Sequence, residues 1–127
     1  IANGGYLVTP YLSKLGKENA SYKQPIKVDI DPKHLQVIRN GLSKVVQSGT
    51  GVSMNYGSYN FPPISGKTGT AEDALGGPDH AWFVCFAPSE NSELLVVAFA
   101  ENTPGGGSVH ALPMAKKILE EWHKINN

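Results

Sequence analysis

Two apolar runs, Ala81–Ala87 and Leu94–Ala100, stand on either side of Pro88-Ser89-Glu90-Asn91-Ser92 and constrain the fold more than any other feature of the chain. A polar turn this short between two strand-like runs allows one arrangement, an antiparallel hairpin. The runs, extended to His80–Ala87 and Glu93–Glu101, are nearly continuous in apolar residues instead of alternating. That pattern predicts central strands covered on both faces. Each run is far shorter than the ~20 apolar residues that cross a bilayer, so neither reads as a membrane span.

A third strand-like run, Ile64–Glu72, precedes the hairpin. Helical patterns flank the strands. Asp31-Pro32 is a helix start, with Asp as the N-cap and Pro where its missing N–H costs nothing. Leu35, Ile38, Leu42, Val45 and Val46 follow as one apolar stripe, ended by Ser48-Gly49-Thr50-Gly51. Gly105-Gly106-Gly107 is expected to open a last helix with Leu112, Ala115, Ile118, Leu119, Trp122 and Ile125 on its buried side; Pro113 fits only near the first turn. Val52–Pro63 reads as a surface connection. Near the start, Tyr6–Tyr11 and Pro25–Val28 are short extended runs around a polar, lysine-bearing stretch and suggest a small hairpin. The order of helix, three antiparallel strands and helix predicts an α+β fold, an antiparallel sheet packed with helices.

The 127 residues suit one domain and are too few for two. Eleven basic and eleven acidic residues cancel, which leaves no electrostatic footprint for nucleic acid or an anionic membrane. Ile1-Ala2-Asn3-Gly4-Gly5 reads as the finish of a helix, so the sequence is expected to be part of a longer protein.

Gly66-Lys67-Thr68-Gly69-Thr70 lies within the first strand-like run. Strand side chains alternate, so Thr68 and Thr70 share one side and Lys67 takes the other. Two hydroxyls two residues apart can hold an anionic group such as a carboxylate, and Gly69 between them permits close approach. Lys67 adds a positive charge at the same edge. By itself the run is equally a threonine-rich strand with an exposed lysine. A phosphate-binding loop is excluded, because the glycine it requires five residues before Gly66 is Phe61.

The remaining chemistry-bearing residues form no pattern. His34, His80, His110, His123 and Cys85 lack metal-ligand spacing, and no metal or other cofactor is expected. Cys85, within an apolar strand, reads as a small core residue. Tyr56, Tyr59 and Phe61 either border a substrate groove or anchor a surface loop. Glu72, Asp73 and Asp79 read as a solvated turn after the motif strand.

Several motifs in one order resemble class B penicillin-binding proteins of the elongation type. They are Ile1-Ala2-Asn3-Gly4-Gly5 with Thr9-Pro10, Gly49-Thr50-Gly51, Ser65-Gly66-Lys67-Thr68-Gly69-Thr70-Ala71-Glu72, His80-Ala81-Trp82-Phe83 leading to Phe86-Ala87-Pro88, and Glu101-Asn102 before the glycines. The resemblance covers essentially all of residues 1–127 and implies the C-terminal part of a transpeptidase domain with the penicillin-binding, serine β-lactamase-like fold. It also implies a membrane-anchored bacterial parent with an extracytoplasmic catalytic domain.

The chemistry implied is D,D-transpeptidation of peptidoglycan stem peptides by a serine acyl-enzyme route that β-lactams trap. By that resemblance Lys67 assists proton traffic and attracts the carboxylate, Thr68 and Thr70 hydroxyls with Gly69 bind it, and the Thr70 N–H is half of an oxyanion hole. The chain departs from the family pattern in one respect: no serine is followed three residues later by lysine. The family's S-x-N is matched in letters at Ser53–Asn55, Ser58–Asn60 and Ser89–Asn91, none in the expected helical context. These residues alone are therefore expected to be inactive. A β-lactam sensor, a serine β-lactamase, a D,D-carboxypeptidase or a non-catalytic interaction module remain alternatives. The resemblance further implies that Glu93–Glu101 normally pairs with a strand from the start of the domain. Alone, the chain is expected to pair with a second copy or with that missing part.

Overall fold

The computed structural model describes residues 1–13, 24–57 and 60–126. Two short strands, β1 (Tyr6–Leu7) and β2 (Ile26–Lys27), pair antiparallel. The lysine-bearing stretch expected between them lies largely outside the described residues. Helix α1 spans Pro32–Gln47. Its N-cap is Asp31, whose carboxylate accepts from the Lys33 N–H at 2.8 Å, and Pro32 opens the first turn. Strands β3 (Ser65–Ala71), β4 (His80–Ala87) and β5 (Leu94–Ala100) form an antiparallel sheet in the order β3-β4-β5. Helix α2 spans Ala111–Asn126. The expected α+β order and the hairpin are both present.

The register explains which face is the core. Thr68 pairs with Phe83, and Phe83 with Ala98, while Cys85 pairs with Val96. Side chains on this face meet Ala111, Leu112, Ala115 and Leu119 of α2, together with Val46 and Met54. Phe83, Leu112 and Leu119 are completely or almost completely buried. Each such side chain contributes roughly 1.5–3 kcal/mol through burial.

The opposite face departs from the expectation of cover on both sides. Leu95 and Val97 are each 54% exposed and Phe99 is 40% exposed, next to a half-exposed Trp82. Trp82 and Phe99 pack together with ring centroids 4.3 Å apart. The physical reason is that α2 layers the face carrying Phe83, whereas burial on the other face is confined to its hairpin end, where Ser65 and Phe86 are almost completely buried.

Three local expectations also change. Gly105 and Gly106 have φ of 108° and 74°, which no α-helix accommodates, so the glycines precede α2 as a loop. The Gly107 carbonyl accepts from the Leu112 N–H at 2.9 Å and leads the chain into the helix at Ala111. Pro113 falls in the first turn, as its missing N–H requires. The connection after α1 is not all surface, because a 3-10 turn at Val52–Met54 buries Met54 entirely. Ile38, Ile118 and Ile125 project outward despite belonging to the helices' apolar stripes, whereas Trp122 packs against the core.

The hairpin turn is tied to the strand before it. Ser65, buried at the head of β3, donates its hydroxyl to Ser89 Oγ at 2.9 Å, and the Ser89 N–H donates to the Pro63 carbonyl at 2.7 Å. A buried hydroxyl without such a partner would carry a desolvation cost. Among the described residues no helix is long and apolar enough to cross a membrane.

Candidate active site

The K-T-G-T residues occupy the middle of β3, which is an edge of the sheet among the described strands. Lys67 pairs with Val84, Thr68 with Phe83, Gly69 with Trp82 and Thr70 with Ala81. Alternation therefore puts Thr68 and Thr70 on the α2 side and Lys67 on the open apolar side. Lys67 and Thr70 are exposed and Thr68 and Gly69 are half-buried. Lys67 Nζ donates to the Thr68 carbonyl at 2.6 Å. A cation, two hydroxyls and the free side of a strand thus converge on one edge.

Two loops converge on this edge. The turn after α1 brings Thr50 Oγ1 within 2.8 Å of Thr68 Oγ1. The glycine loop before α2 lies against the other end of the motif: a Cβ on Gly106 would stand 2.5 Å from Thr70 Oγ1. The sequence marks Gly49-Thr50-Gly51 as a helix end and as part of a family resemblance, and neither reading gives the Thr50 side chain a role. A glycine on each side of a threonine was the available signal, but its partner lies 18 residues away and is visible only in the fold.

The secondary candidates resolve as structural. The Tyr56 and Phe61 rings stack at 4.0 Å, and Phe61 meets the His123 ring at 4.5 Å. The Tyr56 hydroxyl donates to Glu120 at 3.1 Å. Burial, then the hydrogen bond and charge of Glu120, push the Tyr56 phenol well above its ordinary value. Both rings anchor the loop to α2; Tyr59 lies outside the described residues. Asp73 organises the turn after β3 by accepting from the N–H groups of Leu75 and Gly77 at 3.2 and 2.8 Å. His80 Nδ1 accepts from the Asn102 N–H at 3.1 Å, and the His110 ring contacts the Pro104 carbonyl at 2.6 Å. Of the three S-x-N matches, Ser53 offers its carbonyl to Lys116 at 2.8 Å and Ser89 serves the hairpin turn. Ser58 lies outside the described residues. Cys85 is fully buried, and burial pushes its thiol up to about 12, so it is no nucleophile at neutral pH.

The family described as the penicillin binding protein transpeptidase domain matches residues 1–120. The chain belongs to this family. The peptidoglycan D,D-transpeptidase MrdA of Haemophilus influenzae is 30% identical over 143 residues, covering 96% of this chain and 22% of that protein. The D,D-transpeptidase domain of a peptidoglycan glycosyltransferase from Eggerthella lenta superposes with a TM-score of 0.73 at 26% identity, covering 99% of this chain and 30% of that one. Penicillin-binding protein A from M. tuberculosis, solved as an imipenem acyl-enzyme, gives a TM-score of 0.68 at 25% identity over 94% of this chain and 27% of that one. The chain thus spans between a fifth and a third of the length of these family members. Their names bear out the class B, D,D-transpeptidase resemblance carried by the motifs.

Proposed function

We propose that residues 1–127 are the C-terminal part of the transpeptidase domain of an elongation-type peptidoglycan D,D-transpeptidase, supplying the carboxylate-binding and oxyanion wall of its active site. The observation that carries this reading is the intact Lys67-Thr68-Gly69-Thr70 on an accessible edge strand, in a chain of this family. The substrate is a stem peptide ending in D-Ala-D-Ala, and β-lactams are its mimics. A serine outside these residues attacks the penultimate carbonyl, D-Ala leaves with a proton, and an amine of a second stem displaces the serine to form the crosslink. No serine here is followed three residues later by lysine, so this chain cannot supply that nucleophile by the family's motif.

Each motif residue then has a distinct part. Thr68 and Thr70 hydroxyls and the Lys67 charge take the terminal carboxylate, with Gly69 leaving room between the threonines. Lys67 also serves proton traffic at the nucleophile. The Thr70 N–H donates to the oxyanion, and its placement finds support in the ladder. In an antiparallel strand, groups two residues apart face the same side, so the Thr70 N–H faces with the Thr68 carbonyl that Lys67 reaches. Membrane anchoring through another segment, an extracytoplasmic site and a role in cell shape follow from the same reading. Relatives named as D,D-transpeptidases favour it over a sensor, β-lactamase, carboxypeptidase or interaction module.

Fluorescent penicillin followed by denaturing electrophoresis tests the assignment. The parent protein is expected to carry a covalent label, whereas this 127-residue chain by itself is not. A covalent band on the isolated chain would overturn it.

A further inference from the structure

We propose that Thr50 is a positioning residue for carboxylate recognition, with its hydroxyl donating to Thr68 Oγ1 and turning the Thr68 proton toward the bound carboxylate. This rests on the reading of β3 as the carboxylate-binding strand. The two oxygens are 2.8 Å apart, a well-formed hydroxyl–hydroxyl hydrogen bond in which either atom can donate. A hydroxyl has one proton and two acceptor sites. If Thr68 spends its proton on Thr50, it meets a carboxylate with lone pairs and repels it. If Thr50 donates instead, the Thr68 proton is free for the anion. The carboxylate selects this second polarity, and each bond in the resulting chain strengthens the next.

The local backbone is built to hold Thr50 there. The Gly49 N–H donates to the carbonyls of Lys44 and Val45, both at 3.1 Å, and the Gly51 N–H to Val45 at 2.9 Å. A Cβ on Gly49 would stand 2.9 Å from Val45 Cα, and one on Gly51 3.2 Å from the Val45 carbonyl oxygen. Glycine at 49 lets the chain fold this tightly over the end of α1, Gly51 leaves the turn uncrowded on the other side, and the Thr50 side chain between them reaches β3. Thr50 is exposed, so its hydroxyl is not there to satisfy a buried group. Its partner is instead a residue of the motif.

The test uses the full-length parent enzyme and measures second-order acylation rates by benzylpenicillin and by its methyl ester, which lacks the charged carboxylate. Thr50→Val and the smaller Thr50→Ala are expected to slow acylation by the acid about threefold to tenfold, the loss of one neutral hydrogen bond. Thr50→Ser, which keeps the hydroxyl, is expected to stay within about twofold of the wild type. Acylation by the ester is expected to be unchanged in all three. For a D-Ala-D-Ala peptide the loss appears in KM more than in kcat. Thr68→Val separates the two levels of the argument. If it leaves acylation by the acid unchanged, the carboxylate reading of β3 fails. If it slows the acid while Thr50→Val and Thr50→Ala match the wild type, or slow acid and ester equally, the role of Thr50 is overturned and the reading of β3 stands.

Discussion

Gly107 lies directly against the backbone of Gly69. A methyl group on Gly107 would stand 2.7 Å from the Gly69 carbonyl oxygen and 3.0 Å from its nitrogen, and would also collide with the Trp82 carbonyl. The loop that launches α2 therefore supports the middle of the motif strand from the α2 side. Gly107→Ala is expected to push β3 and β4 away from the loop and to cost about 1–3 kcal/mol, the range for overpacking a tight contact. Gly41, in the exposed middle of α1, has nothing within 4 Å of an added Cβ. Gly41→Ala is expected to stabilise by about 0.5–1 kcal/mol through helix propensity. Thermal unfolding of the two variants in the parent protein checks both signs, and a neutral Gly107→Ala would show the contact to be loose.

In the parent enzyme, Lys67→Ala is expected to slow acylation while leaving the thermal midpoint nearly unchanged, because the side chain is exposed and bonds only its own neighbour's carbonyl. Thr70→Val removes a hydroxyl and keeps the backbone N–H, so it weakens β-lactam capture without abolishing it. Losses on the order of tenfold to a thousandfold are expected, as for single polar catalytic contacts. Stopped-flow acylation is the measurement; wild-type rates in both variants would mean the motif has been misassigned.

The α+β order, the hairpin and the placement of the motif on a strand were legible because they rest on local signals. Asp31-Pro32 is a helix start wherever it occurs, and a five-residue polar turn between two apolar runs leaves little choice. What the sequence hid depends on distant partners. The cover over Leu95 and Val97 cannot be inferred from their apolarity, since a run that is buried on both faces and a run that is buried on one read alike when every residue is apolar. The glycine triplet marked a helix boundary correctly but not that its positive φ values delay α2 to Ala111 while Gly107 seats on Gly69. Met54 is buried because the 3-10 turn at its position points it into the core, a tertiary fact with no periodicity behind it.

Cys85 provides a pH signature. Its thiol is raised by burial from an ordinary value near 9.0 to about 12 in the folded protein. For a group raised on folding, the stabilisation is fully present below the unfolded value and is lost as pH rises through the folded one. Stability is therefore expected to decline from about pH 9 toward pH 12, and Cys85→Ala to flatten part of that decline. The thiol is expected to ignore a disulfide reagent at pH 8 in the native protein and to react fully on denaturation. Rapid native labelling would contradict the burial.

Strand β5 pairs with β4 along one side and with no other strand among the described residues. Leu94–Ala100 contains no proline and no charged residue, so nothing on this edge discourages further pairing. The same strand presents Leu95, Val97 and Phe99 on the uncovered face beside Trp82. An open row of N–H and C=O groups next to an apolar surface is a template for another strand. The 127-residue polypeptide, expressed by itself, is expected to associate through this edge, either with a second copy or with an upstream portion of its parent supplied in trans. Light scattering after size exclusion should then give a mass above the 13.6 kDa of one chain, and mass spectrometry should show whether a second polypeptide is present. Replacing Leu95 and Val97 together with Lys places charge on the open face without touching the core residues Val96 and Ala98. That variant is expected to be monomeric with its fold retained, because edge lysines oppose strand addition. A wild-type chain that stays monomeric at tens of micromolar with β5 open would show that the edge does not govern association.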